Sequence, residues 1–134
     1  MTRYVIDPDV AIRLAREGVA IHPEDELVAP ALLRSQALSA LHRATQNGEL
    51  TKDEAGRLLT RIRTMRIRLL GDRVLQSVAW KIADRLGWPD TFDAEYIAVT
   101  QLQADAFITL DDDLAASARG FVEVAPIEVR YRES

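Results

Sequence analysis

Ala106-Phe107-Ile108-Thr109-Leu110-Asp111-Asp112-Asp113-Leu114-Ala115 runs from a short apolar stretch into three consecutive carboxylates and then into a second apolar stretch. A continuous apolar run of this length, bounded by turn-forming residues, predicts a strand buried on both faces from Ala106 to Leu110. Aspartates at the start of the next stretch favour a helix N-terminus, so a short helix is expected from Asp111 to Arg119. The chain opens in the same order. Tyr4 to Ile6 reads as a strand stopping at Asp7-Pro8, and a helix follows from about Asp9 to Glu17.

Between these two units the apolar spacing is helical. A Pro-bounded break around Pro23 and Pro30 leads to a helix from Ala31 to about Gln46, closed by Asn47-Gly48, with Leu33, Ala37, Ala40, Leu41 and Ala44 on its inner stripe. Thr51-Lys52-Asp53-Glu54 has the capping-box pattern and starts a helix running towards Thr64. Ile67 to Leu70 is a strand candidate. A helix opened by Gly71-Asp72 carries Leu75, Val78, Ala79, Ile82 and Leu86 at helical spacing and stops at Gly87-Trp88-Pro89. The next runs from about Thr91 to Ala104 with Ala94, Ile97, Ala98 and Leu102 inward, and Val122 to Ile127 reads as a last strand. Strands alternating with helices predict an α/β protein whose central, mainly parallel sheet is covered on both faces, with ligands bound beyond the carboxyl ends of the strands.

The 134 residues suit one domain spanning 1–134, and 48% hydrophobic with 28% charged residues is too apolar for a disordered chain. Without cysteine, disulfides and thiolate metal sites are excluded, so a metal must be held by oxygen or by His22 and His42. That donor set suits Mg2+ or Mn2+. No apolar run is long enough for a membrane span and the first residues do not resemble a secretion signal, so a cytoplasmic protein is expected. The net charge of -4 argues against a protein that coats nucleic acid broadly. Arg57, Arg61, Arg63, Arg66 and Arg68 nevertheless form one basic stretch without an intervening carboxylate. They read either as a solvated face or, for Arg61, Arg63, Arg66 and Arg68, as candidate RNA phosphate contacts.

Asp7 and Asp111 both fall where a predicted strand ends, so they share one edge of the sheet. Asp93 lies in the first turn of a helix, on the border of its buried stripe, and Gln36 lies three residues after Leu33 and four before Ala40, facing inward. Phosphodiester cleavage requires such convergence, because hard oxygen ligands must hold a cation that orients the phosphate and activates water. Without one the arrangement is unfavourable: two carboxylates about 4 Å apart repel by about 4 kcal/mol at an effective dielectric near 20. Each residue also has a plainer reading. Asp93 and Asp111 to Asp113 suit helix caps, Asp7 suits a turn, and Gln36 suits a buried amide satisfied by backbone. His22, His42, Trp80 and Trp88 read as packing residues, and no serine or cysteine motif supports a nucleophilic triad.

Taken together these stretches resemble the PIN-domain nucleases. Val5-Ile6-Asp7-Pro8-Asp9-Val10 is similar to the family's first motif, with Asp9 where a serine or threonine is usual. Ala29-Pro30-Ala31-Leu32-Leu33-Arg34-Ser35-Gln36 is similar to the second, with Gln36 in place of a glutamate. Phe92-Asp93-Ala94-Glu95-Tyr96-Ile97-Ala98 and Phe107-Ile108-Thr109-Leu110-Asp111-Asp112-Asp113 match the third and fourth. The resemblance implies a three-layer α/β/α fold and a Mg2+- or Mn2+-dependent endoribonuclease, the VapC-like toxin of a VapBC toxin–antitoxin pair, usually a homodimer inhibited by a VapB antitoxin. It implies that Asp7, Asp93 and Asp111 are catalytic metal ligands, joined by Asp113, with Gln36 and Thr109 supporting. Asp9, which departs from the family pattern, adds a carboxylate two positions from Asp7 and is expected to contribute to the same metal site in compensation for Gln36. A PIN domain that binds RNA or antitoxin without cutting is the alternative, since Gln36 is neutral. A phospho-accepting receiver domain is the other, but neither Lys52 nor Lys81 stands where its lysine is needed.

Overall fold

The computed structural model describes residues 1–18 and 21–131. In chain order it comprises β1 (Arg3–Ile6), α1 (Pro8–Glu17), β2 (Glu26–Pro30), α2 (Leu33–Gln46), α3 (Lys52–Thr64), β3 (Ile67–Leu70), α4 (Arg73–Leu86), α5 (Phe92–Gln103), β4 (Ala106–Ile108) and α6 (Asp112–Ala118), followed by a 3-10 segment, Ile127–Tyr131. The strands form one sheet in the order β3-β2-β1-β4, and every pairing is parallel. This is the three-layer α/β/α arrangement expected.

The sheet order places the site. Each crossover from β1 to β2 and from β2 to β3 steps to the adjacent strand in one direction, whereas the crossover through α4 and α5 returns to the opposite side of β1. Right-handed connections then put α4 and α5 on the other face of the sheet from α1 to α3. The order of strand addition reverses between β1 and β4, so a crevice opens beyond the carboxyl ends of these two strands. Asp7 follows β1, and Thr109 to Asp111 follow β4.

The largest core cluster joins β1, β2 and β4 to Val10, Leu33, Leu75, Ile82, Tyr96 and Ile97. A second, formed by Ala15, Ala37, Leu41, Leu58 and Ile62, binds α1, α2 and α3 together. Helix α5 is buried almost all round from Tyr96 to Thr100. Its single-stripe expectation fails for Leu102, which is 39% exposed. Glycine completes α4: Gly87 takes a left-handed conformation (φ 69°) that lets its N–H and that of Trp88 close the last carbonyls.

Four other expectations are corrected. The Pro-bounded break contains β2, the strand between β1 and β3. The β1 ladder ends at Val28. Since the N–H groups of Glu26 and Ala31 point to opposite neighbours, that of Pro30 would face β1 beyond the ladder's end, where its absence costs nothing. No strand spans Val122 to Ile127. Phe107 instead bonds to Glu123 and Ala125 in one isolated bridge, and Pro126 has no N–H to extend it. β4 stops at Ile108, so Thr109 and Leu110 belong to the turn that presents Asp111. Trp80, expected to pack, is 66% exposed on α4.

Candidate active site

Asp7 is the buried acidic residue of the site, 7% exposed. It is also the N-cap of α1: Pro8 fixes the first helical turn, and Asp7 Oδ1 accepts the Val10 N–H at 3.0 Å. Its other oxygen accepts a short hydrogen bond from the Thr109 hydroxyl, which ties β1's end to β4's. Thr109 Oγ1 in turn accepts the Asp111 N–H at 3.2 Å. Burial pushes the Asp7 carboxyl up from 3.8 to about 6, against the two hydrogen bonds, with Asp9 and Asp93 adding smaller repulsions.

Asp93 differs from a capping residue. The α5 N-cap is Thr91, without a side-chain cap bond, and among the described residues no hydrogen bond reaches the Asp93 carboxylate. Burial first, then the charges of Asp111 and Asp90, hold its pKa above the ordinary aspartate range. Asp111 does cap: its Oδ1 accepts the N–H groups of Asp113 and Leu114, both at 3.0 Å. Asp7, Asp9, Asp93 and Asp111 thus arrive from three separate parts of the chain and act on one another electrostatically. No arginine or lysine is among the charges acting on Asp7 or Asp93.

Gln36 faces inward as expected, but its partner is a side chain rather than backbone. Its Oε1 accepts the Tyr96 hydroxyl at 2.7 Å. The Tyr96 ring is 1% exposed and stacks on Phe107 of β4 with centroids 6.2 Å apart. Burial, followed by the charges of Asp7, Glu95 and Asp93, raises its phenol pKa, which keeps the hydroxyl a donor. Tyr96 has no role in the sequence reading, although its i+3 spacing from Asp93 puts both on neighbouring positions of α5. Burial raises the pKa of Glu95, its neighbour in α5, too.

Asp9 and Asp113 are exposed residues in the first turns of α1 and α6. Among the described residues, no group of three or more histidine and carboxylate side chains stands close enough to hold a metal ion as placed. The basic stretch is not drawn to the acidic edge. Arg61 donates to the Ala15 carbonyl at 2.9 Å, fastening α3 to the end of α1. Arg63 lines a groove between α2, α3 and β3, and Arg66 lines a cavity with Ile21, His22 and Leu27. Arg68 is exposed on the edge strand β3.

No family model matches the chain, and no match is found among curated proteins. Solved structures share its fold. PAE2754 from Pyrobaculum aerophilum superposes with a TM-score of 0.75 at 23% identity, over 95% of this chain and 90% of that one. VapBC-1 from nontypeable Haemophilus influenzae superposes with a TM-score of 0.59 at 16% identity, over 93% of this chain and 98% of that one. No helix among the described residues is long and apolar enough to cross a membrane.

Proposed function

We propose that this chain is a metal-dependent endoribonuclease, the toxin component of a type II toxin–antitoxin pair of VapBC kind. The observation that carries the reading is the convergence of Asp7, Asp93 and Asp111 at the carboxyl edge where the sheet reverses, without a compensating cation. Like charges gathered in a partly buried crevice cost stability, and a fold that keeps them has a use for a cation there. The donor chemistry, hard oxygen with neither thiolate nor histidine, fits Mg2+ or Mn2+. Asp7, Asp93 and Asp111 would hold it after modest side-chain movement, with Asp9 and Asp113 contributing charge. A bound ion would supply Lewis-acid polarisation of the phosphate and of the attacking water.

The chain's own groups set up that chemistry. Thr109 orients Asp7 and, through the Asp111 N–H, the turn that presents Asp111. Both caps hold their carboxylates at helix N-termini, so the backbone fixes them before substrate arrives. VapBC-1, one of the solved structures with this fold, supports expecting a VapB-like antitoxin, and the homodimer is proposed from the resemblance of the sequence motifs to PIN-domain toxins.

Purified protein free of any partner should cut single-stranded RNA internally with Mg2+ or Mn2+ and stop on addition of chelator. Asp93→Asn and Asp111→Asn should each lower the rate about 100-fold or more. Cutting that continues unchanged in both variants would refute the assignment, as would an absence of toxicity on expression for the toxin role. Gln36 favours a second reading, a domain that binds RNA or antitoxin without cutting, because its amide brings no negative charge. That reading predicts strand binding with no metal-dependent cleavage in the wild type.

A further inference from the structure

Seven side chains meet at the acidic edge: Asp7, Asp9, Gln36, Asp93, Tyr96, Thr109 and Asp111. An RNA strand brings further negative charge to this place, so its phosphates need hydrogen-bond donors there as well as a cation. Most of the local donors are already committed. The Thr109 hydroxyl donates to Asp7, the Tyr96 hydroxyl donates to Gln36, and the N–H groups of Val10, Asp113 and Leu114 donate to Asp7 and Asp111. The arginines do not answer the need, since none acts on Asp7 or Asp93 and Arg61 is held by Ala15.

One side-chain donor is left. Gln36 is half-buried, its Oε1 is occupied by Tyr96, and its Nε2 has no acceptor among the described residues yet is not sealed from solvent. A phenol hydroxyl can donate or accept, but its proton has no acceptor among the described residues other than Gln36 Oε1, which is why that end of the amide faces inward. Tyr96 is itself immobilised by its stack on Phe107. The amide is therefore oriented in advance, with its NH2 turned away from Tyr96.

We propose that Gln36 is an RNA-binding residue whose Nε2 donates to a non-bridging phosphate oxygen of the strand, with Tyr96 as the positioning residue that fixes the amide. The proposal rests on the ribonuclease reading for its choice of ligand, but it concerns the strand and not the ion. A neutral amide at this position serves phosphate better than a carboxylate would, because it adds a donor without adding repulsion.

The test measures binding of a short fluorescein-labelled single-stranded RNA of mixed sequence in chelator, by anisotropy, for the wild type, Gln36→Met, Gln36→Glu, Tyr96→Phe and the Gln36→Met/Tyr96→Phe double variant. Gln36→Met should weaken binding about tenfold, the range for a hydrogen bond to a charged group. Gln36→Glu should weaken it at least as much while keeping the acceptor for Tyr96, so the variant folds. Tyr96→Phe should cause a smaller loss, and the double variant should bind no worse than Gln36→Met alone, because the hydroxyl acts only through the amide. Wild-type affinity in Gln36→Met, or additive losses in the double variant, overturns the proposal. So does a Gln36→Glu protein that binds RNA normally and cuts faster with Mn2+, since the side chain would then face the ion. A wild type that binds RNA through Gln36 but never cuts it ends the ribonuclease reading and leaves this contact standing; one that does not bind RNA ends the contact.

Discussion

Replacing Asp7 by asparagine should stabilise the metal-free protein at neutral pH, by an amount that follows from where the carboxyl sits. Its pKa rises from 3.8 to about 6 on folding. Between these values the folded chain holds a proton that the unfolded chain has released, so this group favours folding fully below about pH 4 and the benefit is lost as pH climbs through about 6. A difference of about two pH units corresponds to about 3 kcal/mol. Asparagine escapes that cost and keeps the local structure. Its amide oxygen can accept the Val10 N–H, and its NH2 can donate to Thr109 Oγ1 in place of the bond now accepted from it. Allowing for imperfect replacement, the gain is about 2 kcal/mol at neutral pH, a rise of roughly 5–10 °C in melting temperature for a chain of this size. Thermal and urea unfolding of wild type and Asp7→Asn in chelator, followed from about pH 4 to about pH 7.5, reads the difference directly. The gap should close near the acid end. A variant less stable than wild type at neutral pH, or a gap that does not change with pH, would refute the burial argument at this position.

Thr109→Val removes the hydrogen bond that holds the Asp7 pKa down, so manganese binding should set in at a higher pH; a titration of Mn2+ affinity against pH that shows no upward displacement counts against that link. Asp111→Asn keeps an equally good N-cap and should change unfolding free energy by less than about 0.5 kcal/mol while abolishing cleavage. A large loss of stability in urea melts would return Asp111 to a purely structural role. Arg61→Ala should cost about 1 kcal/mol in the same melts, by freeing the Ala15 carbonyl, and leave RNA affinity unchanged. A marked loss of RNA binding would put Arg61 among the phosphate contacts after all.

The sequence by itself determined the elements whose order is local. Helical spacing marked α2 to α5, the capping box marked the start of α3, and β1, β3 and β4 stood out as apolar runs followed by turn residues. It also put Asp7 at a strand end and Asp111 just beyond one, because a strand's carboxyl end is a position in the chain, though β4 stops two residues earlier than its apolar run suggested. β2 was not legible: the four residues Leu27 to Pro30 are buried in a row and carry no alternation, and Pro30 resembles a break until the ladder beside it is known to stop at Val28. Val122 to Ile127 failed the other way, since β propensity does not reveal that only Phe107 is there to pair with it. What the tertiary structure alone decided is which groups share a site. Gln36 and Tyr96 lie 60 residues apart and meet because α2 and α5 approach the same crevice. The arginine run, continuous in sequence, is distributed by the packing of α3 over a helix contact, a groove, a cavity and a strand edge. Apolar spacing specifies the face that each element buries, whereas the direction of each crossover, and so the place where the sheet reverses, is set by which faces find one another once the chain is packed.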